Sequence, residues 1–162
     1  MGTRATITIK KDKTPLVKIY TQYDGYPSGV VLDIVNKFKD RIITNGFSDH
    51  CKQINLPESF AILVCAHLVN SHKKSLEKIS NITSSITGQN IDICDLPTGT
   101  FYIEDISSSS DFLNYEYDLI LPNETVGPVR ELLKISVNDF SEKRLFTVDE
   151  YIEFCKSEDH DE

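Results

Sequence analysis

The chain has 162 residues, 40% of them hydrophobic and 26% charged, with a formal net charge of −8. This length gives one ordinary domain with a real core, the balance excludes a disordered chain, and the acidic surplus argues against a nucleic-acid partner. The cysteines (Cys51, Cys65, Cys94, Cys155) contain no Cys-x-x-Cys pair and the histidines no ligand-spaced partner, so neither a metal nor a cofactor is expected.

Thr3 to Ile9 alternates, with Thr3, Ala5, Ile7 and Ile9 on one side and Arg4, Thr6 and Thr8 on the other. That is the period of a half-buried strand. Leu16 to Tyr23 repeats it, and the Lys11-to-Pro15 stretch between them is turn chemistry. Pairing Ile9 with Val17 and Ile7 with Ile19 puts every aliphatic residue on one face. Arg4 then faces Gln22, with Asp24 as its diagonal neighbour. The loop Tyr23-Asp24-Gly25-Tyr26-Pro27-Ser28-Gly29 follows. A helix is expected over 29–44, buried through Val31, Ile34, Val35, Phe38 and Ile42, with Ser28 as N-cap and Asn45-Gly46 as stop.

Residues 47–56 read as a connector. Pro57 opens a second helix, buried through Phe60, Leu63, Val64, His67 and Leu68 and running to about Ser71. Residues 73–98 read as a short helix followed by either a loop or an irregular strand. Strands are expected over Thr100–Ile106, Asn114–Leu121 and Leu132–Val137, with an exposed turn at Ser107–Ser110. Thr147 with Glu150 is a capping box opening a last helix. The single domain spans 1–156, and 157–162 is an acidic tail. The sum is an α+β fold in the order β-β-α-α-β-β-β-α: an antiparallel sheet of about five strands with helices on one face and the other face open. No apolar segment of transmembrane length and no charged-then-apolar leader occurs, so a reducing, cytoplasmic setting without a membrane partner is the expectation.

The Gly2-Thr3-Arg4 start, the strand–turn–strand and the Asp24-Gly25-Tyr26-Pro27 loop resemble a group of small proteins of bacteria, bacteriophages and large DNA viruses that have no assigned activity. Gly99-Thr100-Phe101-Tyr102-Ile103, Tyr115-Glu116-Tyr117 and Glu153-Phe154 are similar to later strands and a closing helix of that group. Where the group begins its helix Gly-x-x-Leu, this chain has Val30-Val31-Leu32. The resemblance implies a phage-like or viral protein of this fold and marks the loop, without naming a reaction.

The chemistry concentrates at the loop, where Arg4, Gln22, Asp24, Gly25, Tyr26, Ser28 and Gly29 are the candidate ligand-binding residues. Arg4 and Asp24 either pin the hairpin to the loop as a charge-assisted pair, or form a corner where free N–H groups of the Gly29 helix meet an anion. Asp24 as a general base is disfavoured, because an arginine beside it lowers its pKa. Gly25 is expected to supply a positive φ. His67 reads as a packed core histidine and His72 as serving a helix C-terminus. His50 beside Cys51 lacks an orienting third group, so no catalytic set is identified. The expectation is a binding protein for an unknown protein or small-molecule partner, with a small hydrolase or transferase at the same corner as the alternative.

Overall fold

The computed structural model describes residues 2–46, 52–88, 101–108, 112–123 and 126–158. The chain is α+β. In order, it runs β1 (Ala5–Lys11), β2 (Thr14–Thr21), α1 (Val30–Phe38), β3 (Ile42–Thr44), β4 (Gln53–Asn55), α2 (Leu56–Thr87), β5 (Phe101–Glu104), β6 (Tyr115–Leu121), β7 (Gly127–Pro128), α3 (Val129–Leu132), β8 (Lys134–Asn138), β9 (Lys143–Thr147) and α4 (Val148–Glu158). Among the described residues the strands form a six-stranded sheet ordered β5-β2-β1-β6-β8-β9 and a small sheet ordered β4-β3-β7.

The expected hairpin register is the observed one. Ile7 stands opposite Ile19 and Ile9 opposite Val17, with a bulge after Ile9. One register buries Ala5, Ile7, Ile9 and Ile19 together, and a one-residue slip of either strand would turn that strand's apolar set to the other face.

The sheet is mixed, not purely antiparallel. β1 and β6 pair in parallel from Ala5 opposite Tyr115 to Lys11 opposite Leu121. A parallel pair needs a long crossover, and the segment carrying α1 and α2 between these strands provides it. The core lies between one face of the sheet and α1, α2 and α4. Tyr117, Leu119, Ile135 and Val137 of the sheet meet Ile34, Phe38, Phe60, Val64 and Tyr151 of the helices. No described helix packs on the other face.

The element order also differs from the expected one. α1 ends at Phe38 instead of near residue 44, because Ile42-Ile43-Thr44 is a β-branched run that pairs with Gln53–Asn55 and with Gly127–Pro128. α2 does not stop near Ser71; it continues to Thr87 through the short helix expected from residue 73 and into the stretch read as a loop or irregular strand. From Glu58 to Thr87 the chain has no glycine or proline, and Gly88, at φ +69°, follows the last turn. Residues 89–98 lie outside the described residues, as do Cys51, His50, Cys94, part of the Ser107–Ser110 turn and the last four residues of the tail. β9 follows a turn in which the Asp139 carboxylate accepts from the Ser141 hydroxyl and from the N–H groups of Ser141 and Glu142. Those donors hold its carboxyl down to about 2.

The capping box forms as expected. Thr147 N–H donates to Glu150 Oε2 at 2.7 Å, and Glu150 N–H donates to Thr147 Oγ1 at 3.3 Å. Thr147→Ala removes the side-chain half of this exchange. It is expected to destabilise the protein by about 1 kcal/mol, a drop of about 3 °C in a thermal melt; an unchanged melting temperature would mean the box contributes nothing.

Candidate functional site

The loop between β2 and α1 is tethered from inside the core. Tyr117 is 1% exposed, and its hydroxyl donates to Gly25 O at 2.8 Å. Tyr151 is fully buried, and its hydroxyl donates to Pro27 O at 2.7 Å. Burial pushes both phenols well above the ordinary tyrosine range. The sequence places Tyr117 only within an expected strand; its hydroxyl is what anchors the loop, and a tyrosine at a core-facing strand position is the available signal.

The glycines act differently from expectation. The positive φ falls on Asp24, at +56°, and not on Gly25. Gly25 is needed for close approach: a Cβ there would lie 2.8 Å from both Ala5 Cβ and Thr3 O. Gly29 is tighter still, with a Cβ position 2.1 Å from Asp24 O. Gly29, not Ser28, is the N-cap of α1, and no side chain caps it.

Two N–H groups at this helix start are taken by the loop itself. Gly29 N–H donates to Tyr26 O and Val30 N–H to Asp24 O, each at 2.9 Å. The adjoining groove, about 320 Å³, instead presents Asp24 and Asp33 beside Tyr23, Tyr26, His72 and Phe101. His67, expected as a plain core residue, sits with Nε2 2.6 Å from Asp33 Oδ2 and packs edge-on against Phe38. His72 lies within α2 rather than at its end, edge-on to Phe101 at 6.0 Å.

The Arg4–Asp24 pair does not form. Among the described residues the two make no ion pair. Arg4 precedes buried Ala5, so alternation sends its side chain to the open face of the sheet, while Asp24 lines the groove on the helix side. Gln22 accepts from Tyr20 Oη, across the sheet from buried Ile19. The structure thus divides the predicted set: Arg4 and Gln22 go with the open face, and Asp24, Tyr26 and Gly29 with the groove.

The open face holds a second recess of about 340 Å³ that sequence reasoning did not single out. Its floor is the outward row of the central strands: Thr6 and Thr8 from β1, Glu116 and Asp118 from β6, Ser136 and Asn138 from β8. Thr6 is 2% exposed and Ser136 3%, sunk beneath longer neighbours. Lys10, Lys13, Lys18 and Lys143 surround them. Lys10 Nζ is 2.9 Å and Lys143 Nζ 3.7 Å from Asp118 Oδ2, and Asn138 Nδ2 donates to Glu116 Oε2 at 2.9 Å. Lys18, nearly buried, donates to Ser108 O at 2.6 Å and lies 3.4 Å from Glu104 Oε2. Even with Glu104 counted, the ammonium groups outnumber the carboxylates, a local reversal in a chain of charge −8. The signal was the alternation itself: polar residues facing outward on adjacent strands β1, β6 and β8.

A further recess, about 540 Å³ between α1 and α2, is an open trough. Lys37, Lys73 and Glu77 stand in solvent there, while Arg41 lies over the Phe38 ring at 5.3 Å and His67 is held by Asp33. Among the described residues no group of histidines, cysteines and carboxylates is placed to hold a metal ion, and no helix is long and apolar enough to cross a membrane. Compared with family models, curated proteins and solved structures, the chain matches none.

Proposed function

We propose that the protein is a non-catalytic binding module that takes a small anionic, hydroxyl-bearing molecule into the recess on the open face of its sheet. The observation that supports this is the ring of Lys10, Lys13, Lys18 and Lys143 around a floor where the hydroxyls of Thr6, Thr8 and Ser136 and the amide of Asn138 stand beside Glu116 and Asp118. Ammonium groups converging on one concavity raise the local concentration of an anion, and the floor supplies neutral donors and acceptors to orient it. Asp118 is already held by two lysines, so it positions their ammonium groups rather than repelling the ligand at full charge. The alternative, a small hydrolase or transferase at the Arg4/Asp24/Tyr26 corner, keeps Asp24 and Tyr26 on the groove, where Asp24 makes no ion pair with Arg4 among the described residues.

The test is calorimetric titration with ribose 5-phosphate at low ionic strength. Binding is expected, weakening with added salt. The double variant Lys13→Gln/Lys143→Gln changes two exposed side chains at the rim and should lose about fivefold to tenfold in affinity. Absence of binding, or equal affinity of wild type and double variant, would overturn the reading.

A further inference from the structure

The groove under the Tyr23–Gly29 loop lies on the helix side of the sheet, so a ligand seated there is independent of one in the recess on the open face. Two of its walls are phenols kept in solvent, Tyr23 at 52% exposure and Tyr26 at 43%. Tyr23 lies against Gly2, where a Cβ has no room. Phe101 closes one side and meets the His72 ring edge-on. The Nε2 atom of His72 is buried and has no hydrogen-bond partner among the described residues. A buried polar atom without a partner destabilises the fold unless something supplies the missing bond. Asp24 adds a carboxylate whose side chain makes no ion pair or hydrogen bond among the described residues.

We propose that this groove binds an organic cation of the guanidinium or alkylammonium class, flanked by Tyr23, Tyr26 and Phe101, with His72 Nε2 and Asp24 accepting its N–H groups. Aromatic faces attract a cation through their quadrupole, and the attraction grows as the cation is desolvated. Asp24 and Asp33 disfavour an anion there, and the Gly29 and Val30 N–H groups are already taken by the loop. A neutral apolar ligand would leave His72 Nε2 as it stands. A planar, multiply donating cation satisfies the imidazole and the carboxylate together. This requires the Nδ1–H tautomer of His72, which leaves the lone pair on Nε2.

N-ethylguanidinium and N-ethylurea have nearly the same shape and differ in charge, and they are the probes. Titrated into the full chain, N-ethylguanidinium should bind and move the His72 Nε2 resonance in nitrogen-15 spectra. N-ethylurea should bind at least about tenfold more weakly. Tyr26→Ala alters an exposed side chain and should weaken N-ethylguanidinium about threefold to tenfold. His72→Gln should retain more affinity than His72→Leu, since the amide oxygen keeps an acceptor. Equal binding of the two probes, an unmoved His72 resonance on saturation, or full affinity in Tyr26→Ala would overturn the proposal.

Discussion

Replacing Gly29 by alanine is expected to destabilise the protein by about 3 kcal/mol or more, the range of severe overpacking joined to a lost cap. The new Cβ would stand 2.1 Å from the Asp24 carbonyl oxygen and 2.9 Å from its carbon, both backbone atoms that cannot swing aside. That same oxygen accepts the Val30 N–H and caps the start of α1 from the loop. Relieving the contact therefore breaks the helix start. It also strains Gly25 and Pro27, which are tied to buried Tyr117 and Tyr151. Gly46→Ala is the comparison. Its Cβ meets nothing within 4 Å, so only the φ of +134° opposes it, a penalty of about 1–2 kcal/mol. In urea unfolding the Gly29 variant should lose clearly more stability than the Gly46 variant. Equal losses would show that the loop yields freely and that the close approach at Gly29 imposes no constraint.

The contrast between these glycines also shows which features the sequence made legible. The hairpin register was readable because one pairing places Ala5, Ile7, Ile9 and Ile19 on one face, and no neighbouring register does. The capping box was readable because its two members sit three residues apart and act locally. The open sheet face was readable as a polar alternation, though not as a recess, because its concavity needs β6 and β8 brought beside β1 by long-range pairing. The parallel β1–β6 pair had no local signal, since it is set by where α1 and α2 return the chain. The division of Arg4 from Asp24 had none either. Extending the β2 alternation past Tyr23 assumes that the strand continues, whereas Asp24 turns into the left-handed region and sends the loop toward the helices. Gly25 looked like a conformational glycine; packing against Ala5 and Thr3 makes it a steric one.

Stability should be flat through neutral pH and fall steeply above about pH 10, because two buried phenols must stay protonated in the fold. Burial is the first cause of both upward shifts, and each ring is also raised by other nearby ionisable groups. The folded pKa lies above the unfolded value, so the stabilising contribution is complete below about pH 10 and is lost as pH rises from there toward the folded pKa. Each buried tyrosine then lowers stability by about 1.4 kcal/mol per pH unit. Tyr102 and Tyr115 shift in the same direction but are more open to water and add less. Tyr117→Phe separates the two roles of the hydroxyl. At neutral pH it strands the buried Gly25 carbonyl and should lose about 1–3 kcal/mol. Above pH 10 it removes one ionising group, so its stability should decline less steeply than that of wild type and the gap between them should close. Urea midpoints measured from neutral to alkaline pH test this directly. Parallel curves would mean that Tyr117 ionises freely in the folded chain, and the loop would then lack its internal anchor.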